Sequence, residues 1–139
     1  MSARTKARKR AVDAVFAADL RKISPLALIS ETAELIADRQ NQDAIFGYAK
    51  QIVQGIVDNH NEIDDLLDTY SQGWAIDRMP NVDRAILRVA VWEIIFNDDV
   101  PDAVAINEAV EMAKDLSTDE SGAFINGLLT RISATKAAQ

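Results

Sequence analysis

The sequence predicts an all-α domain, and three observations carry that prediction. Apolar residues recur at three- and four-residue intervals over most of the chain, the period of a half-buried helix. Composition favours helix: Ala, Leu, Ile, Asp and Glu dominate, against 5 Gly and 3 Pro in 139 residues. All three prolines fall between periodic segments. A chain of this length is expected to form one domain over 1–139, with a core of its own.

Taken in order, residues 5 to 22 read as a first helix with Val12, Val15, Phe16 and Leu20 on one stripe. Ser24 and Pro25 read as an N-cap and a first-turn proline. They open a helix running to about Asp38, with Leu26, Ile29, Ala33 and Ile36 on one face. After the polar "RQNQD", residues 43 to 58 place Ile45, Ala49, Ile52, Val53 and Ile56 on a clean helical stripe. A fourth helix follows "NHN", carried by Ile63, Leu66, Leu67 and Tyr70.

"QGWAIDRMP" interrupts the pattern with Gly73 and Pro80. Residues 81 to 97, "NVDRAILRVAVWEIIFN", are apolar around much of the circumference, which predicts a central helix packed on several sides. Asp102 is the expected N-cap of the next helix, whose inward stripe is Ala105, Ala109, Met112, Ala113 and Leu116. Ser117 and Glu120 have the spacing of a capping box for a last helix. Phe124, Leu128 and Ile132 repeat along it, beside Ile125 and Leu129. The tail 133–139 is expected to fray. The result is about seven helices joined by short loops.

Charge is distributed unevenly. Arg4, Lys6, Arg8, Lys9 and Arg10 place +5 in segment 1–10, ahead of the first acid, Asp13. The 127 residues from Asp13 onward hold ten basic and 22 acidic side chains, a balance of −12 within an overall −7. Cations at a helix N-terminus oppose the helix dipole, so helix stability does not account for them. A polyanion such as RNA does, because guanidinium forks and ammonium groups bind phosphate. A solubilising basic tail on a helical adaptor that binds only protein is the other reading, and the residues alone leave both open.

Other function classes find little support. The chain has no cysteine, which excludes disulfides, thiolate zinc sites and cysteine nucleophiles. It carries no Walker, dinucleotide-binding or nucleophile-elbow motif, so no enzyme and no cofactor is expected. His60, Asp64 and Asp68 share i, i+4 spacing that a hard metal could use. Carboxylates favoured in a helix's first turn explain Glu62, Asp64 and Asp65 better, so no metal is expected. No apolar run approaches the roughly 20 residues that span a bilayer, and no apolar stretch follows the basic start as in a secretory signal. A soluble, cytoplasmic protein without membrane contact is the expectation.

Four blocks carry a resemblance. "WAIDRMPNVDRAILRVAVWEIIF" at 74–96, "VPDAVAINEAVEMAK" at 100–114, "DESGAFINGLL" at 119–129 and the basic opening "KARKRAVDAVFAADL" together resemble the NusB family of bacterial transcription antitermination factors. The resemblance implies an all-α fold of two small helical subdomains and a non-catalytic RNA-binding role. Its members pair with the ribosomal protein NusE, and the heterodimer binds boxA RNA, single-stranded, in ribosomal RNA transcripts. There it helps the RNA polymerase antitermination complex transcribe processively.

By resemblance, Arg4, Lys6, Arg8, Lys9 and Arg10 match the family's arginine-rich motif, and Phe16 falls where members present an aromatic to RNA. Leu116, Glu120 and Phe124 match positions at the RNA edge, while Asp77 and Asp83 match acidic positions that face NusE. The sequence also admits a homodimer that hides the RNA face.

Overall fold

A computed structural model describes residues 2–35 and 42–137 of the chain, with side chains described over 2–31 and 43–136. Among the described residues seven α-helices follow one another: α1 (Ala3–Arg21), α2 (Pro25–Leu35), α3 (Gln42–Asp58), α4 (His60–Tyr70), α5 (Asn81–Phe96), α6 (Asp102–Leu116) and α7 (Asp119–Ala137). A single 3-10 turn, Ile76–Arg78, separates α4 from α5. Among the described residues there is no strand, and no helix is long and apolar enough to cross a membrane.

The helices cluster in two groups that share α5. α1, α2 and α3 pack mutually, while α6 and α7 pack on each other and on α5, with α4 bridging to α7. α5 is central because its sequence is apolar around much of its circumference: Ala85, Ile86, Leu87, Val89, Ala90, Val91 and Ile94 are all buried. The stripe of α3 (Ile45, Ala49, Ile52, Val53, Ile56) is buried as its period requires. Gly55 lets α3 approach α5 closely, since a Cβ there would fall inside the Trp92 indole.

Several ends differ from expectation. α1 starts at Ala3, because the Ser2 hydroxyl accepts from the Thr5 amide at 3.0 Å and caps it. Ser24 caps α2 as expected, accepting from the Leu26 amide at 3.2 Å. The side chains of Ala33 and Ile36, and the end near Asp38, lie outside the described residues. Asp102 is not an N-cap: Pro101 takes that position, and Asp102 opens the helix.

The capping of α7 sits one residue later than Ser117 and Glu120 predict. The Thr118 hydroxyl accepts from the Ser121 amide at 3.0 Å, and Glu120 stands exposed. Where fraying is expected after Ile132, the described residues stay helical: α7 continues to Ala137. Freed from capping, the Asp102 carboxylate accepts from the Ser133 hydroxyl at 2.5 Å and from Lys136 at 2.9 Å. Lys136 also donates to the Ile94 carbonyl at 2.8 Å, so polar contacts hold a turn with no apolar stripe.

Candidate nucleic-acid interface

The five cations of the opening segment fold into one continuous helix, and the fold gives them different tasks. Arg4 and Lys6 are exposed, and Lys9 and Arg10 are half-buried. Lys9 bonds both oxygens of Asp13, at 2.7 and 2.9 Å, one turn along α1. That exposed pair contributes little to stability and leaves the ammonium within reach of solvent.

Arg8 departs from the sequence reading. It is 3% exposed, its Nε donates to both oxygens of Glu93 at 2.8 and 3.0 Å, and Nη1 lies 3.3 Å from Glu108. Burial disfavours its charge, but the bond to Glu93 and the two carboxylates outweigh that and push its pKa up. Arg8 is an internal ion here and does not face solvent. The reason is its phase on α1: Ala7, Ala11, Val12 and Val15 beside it are all buried, so position 8 meets α5 and not water.

Around Glu93 lies a connected polar network that the hydrophobic pattern alone does not reveal. The Tyr48 hydroxyl of α3 donates to Glu93 at 2.5 Å and accepts from Asn97 Nδ2 at 3.0 Å. Burial first, then Glu93, pushes the Tyr48 pKa up to about 12, which keeps it a neutral donor near pH 7. Thr5 donates to Glu108 at 2.7 Å, tying the start of α1 to α6. A carboxylate inside "WEIIF", flanked by apolar residues, was the available signal that a buried cation must face it.

Two arginines lie over aromatic rings of α3. The Arg4 guanidinium carbon is 4.5 Å from the Tyr48 ring centroid, and that of Arg10 is 5.8 Å from the Phe46 centroid. Among the described residues Arg4, Lys6 and Arg10 make no ion pair with a carboxylate.

The second set of expected positions sits at the α6–α7 junction. Leu116 is 36% exposed and Glu120 is exposed. Phe124 is half-buried, with its ring edge-to-face on Trp74 at 4.7 Å. Glu108, which binds the α1 end, is eight residues before Leu116 on α6, about 12 Å at 1.5 Å per residue. One helix thus joins the two sets. Phe16 is half-buried and packs against the core.

Of the acidic positions, Asp77 is exposed in the 3-10 turn. Asp83 is not a surface residue: it is 0% exposed, and Oδ2 accepts from the Ser121 hydroxyl at 2.8 Å. It joins the first turn of α5 to the first turn of α7. Nor does Asp83 pair with Arg84 or Arg88. Arg88 forks onto Asp64 at 2.9 and 3.0 Å and onto Asp19 at 2.9 and 3.1 Å, and Arg84 reaches Asp19 at 3.3 Å. Asp64, the centre of the imagined metal site, is therefore already engaged. Among the described residues no cluster of three metal-ligating side chains occurs.

Comparison with known proteins places the chain in a family. The NusB family profile matches residues 5–134. The transcription antitermination protein NusB of Leifsonia xyli subsp. xyli is 56% identical over 136 residues, covering 98% of this chain and 94% of that one. Its counterpart in Clavibacter sepedonicus is 52% identical over 137 residues, covering 99% of this chain and 100% of that one. Among solved structures, NusB of T. maritima superposes with a TM-score of 0.83 at 34% identity, covering 94% of this chain and 90% of that one. The antitermination factor NusB, solved with NusE and double-stranded RNA, gives 0.85 at 29% identity, covering 97% and 98%. An all-helical chain with a cationic first helix, matched along nearly its whole length by these proteins, belongs to the NusB family: it is a transcription antitermination factor, an RNA-binding regulator and not an enzyme.

Proposed function

We propose that this chain binds single-stranded boxA-type RNA of ribosomal RNA transcripts as a heterodimer with NusE and so keeps RNA polymerase processive through terminators. The observation that carries the reading is the group Arg4, Lys6 and Arg10 on α1, three cations that pair with no carboxylate among the described residues, on a body that is otherwise strongly acidic. The acidic remainder repels non-specific RNA and attracts a basic ribosomal protein. The relative solved with NusE and double-stranded RNA supports NusE and RNA as the general types of partner. Exposed Asp77 is the acidic residue offered to NusE, and Asp83 acts there only by holding the α5 and α7 starts together.

Fluorescence anisotropy of a labelled boxA-type RNA, titrated with the chain with and without NusE, tests this. Binding that is weak alone, tightens with NusE, and is lost on changing Arg4, Lys6 and Arg10 to Glu is the expected result. Arg8 is left intact because it is buried and paired with Glu93, so its loss should destabilise the fold and confuse the reading. If neither the chain nor the pair prefers that RNA over a scrambled one, the protein-only adaptor is the better account.

A further inference from the structure

The cations of α1 are held in two different ways, and the difference has a functional consequence. Carboxylates hold Arg8 and Lys9, and a carboxylate occupies the very N–H donors that a phosphate would need. Aromatic faces hold Arg4 and Arg10. A ring attracts a guanidinium within about 6 Å through its quadrupole and accepts no conventional hydrogen bond from it. The donors of Arg4 and Arg10 therefore stay available while the side chains are confined.

The ring under Arg4 is itself fixed. Tyr48 is 8% exposed, its hydroxyl is bonded to Glu93 and Asn97, and its ring meets Trp92 edge-to-face at 6.3 Å. Phe46 is equally buried under Arg10. Both rings come from α3, the helix packed along α1, whereas the two arginines are six residues apart on α1, about 9 Å of helix rise. α3 thus supplies two separate rests for two separate cations.

We propose that Tyr48 and Phe46 are positioning residues of the RNA site, whose ring faces hold the Arg4 and Arg10 guanidinium groups in place for the phosphodiester backbone of single-stranded RNA. This rests on the RNA-binding reading above. The rings do not touch RNA. They order two long side chains before RNA arrives, so the entropy of ordering them is lost on folding and not on binding. The inert-packing account of the same rings predicts stability effects with no coupling to the arginines.

A double-mutant cycle in the full-length chain with NusE separates the two, read by anisotropy with labelled boxA-type RNA. Tyr48→Phe keeps the ring and loses the hydroxyl; it should be less stable in urea yet bind RNA within twofold of wild type. Tyr48→Leu removes the ring and should weaken binding about two- to fivefold, the scale of one exposed cation–π contact. Combined with Arg4→Gln it should add nothing further. Phe46→Leu with Arg10→Gln repeats the cycle away from the Glu93 network, so it remains informative if Tyr48→Leu does not fold. Leucine variants that fold and bind like wild type, or losses that add to those of the arginine variants, overturn the positioning role while leaving RNA binding intact. A wild-type chain that ignores the RNA even with NusE overturns both readings.

Discussion

The Arg8 Nε lies 2.8 and 3.0 Å from the two carboxylate oxygens of Glu93, and both side chains are all but removed from solvent. A cation from the basic opening segment is thus a core residue. Breaking such a pair from one side strands the other charge. Arg8→Met should lower unfolding free energy by about 3–5 kcal/mol, measured in urea. Arg8→Met with Glu93→Met should recover much of that loss, because the stranded carboxylate is gone. A single variant as stable as wild type would refute the internal role.

Asp83 and Ser121 make a smaller version of the same case. The Ser121 hydroxyl is the hydrogen-bond partner of Oδ2, and Oδ1 is buried without one. Ser121→Ala should therefore cost about 1–3 kcal/mol, the penalty for a buried acceptor left unmet. Thermal denaturation reads it directly, and an unchanged midpoint would mean that the carboxylate finds another donor.

Much of this architecture is legible in the sequence, and the misses share a cause. The stripes of α3 and α5 forced both helices inward, so their burial follows from period alone. The cation cluster at 4–10 is equally visible, but which cation turns inward depends on the phase of α1 against α5, a tertiary fact. Arg8 shares its turn with Ala7 and Ala11, whose small side chains give a weak apolar signal. Asp83 is hidden for a similar reason: its partner Ser121 is 38 residues away. The last turn of α7 reads as a frayed tail because Ser133 and Lys136 hold it through Asp102, and periodicity is blind to polar anchors.

Gly55 tests the packing of α3 on α5. Its missing Cβ is where the Trp92 indole lies, and Trp92 is buried under its neighbours with little room to yield. Gly55→Ala should destabilise the chain by about 1–3 kcal/mol despite alanine's better helix propensity. A gain in stability, measured by urea unfolding, would show that the two helices separate freely at this crossing.

The Asp102 anchor should respond to acid. Burial pushes its carboxyl up, but the Ser133 hydroxyl and Lys136 outweigh that and hold it below the ordinary value of 3.8. A depressed folded pKa gives stability that is present above the unfolded pKa and lost as pH falls through the folded one. Amide shifts of Ser133 and Lys136, followed by NMR, should be flat from pH 7 to about 5 and move only below about pH 4. In Asp102→Asn that acid transition should be missing, and the turn already loosened at pH 7.

The salt dependence of RNA binding should count the free cations. Single-stranded binding falls with salt at ~0.7 per phosphate neutralised. Arg4, Lys6 and Arg10, one phosphate each, give a log–log slope of about −2.1, and about −2.8 if Lys9 leaves Asp13. Arg10→Gln should flatten the slope by about 0.7. Arg8→Met, titrated at a temperature where it stays folded, should leave the slope unchanged, because the charge it removes was already neutralised by Glu93 and Glu108. Equal flattening by both variants would mean that Arg8 leaves its carboxylates to reach RNA. The buried pair would then be a latch opened by binding, since α1 would have to move off α5 to release it.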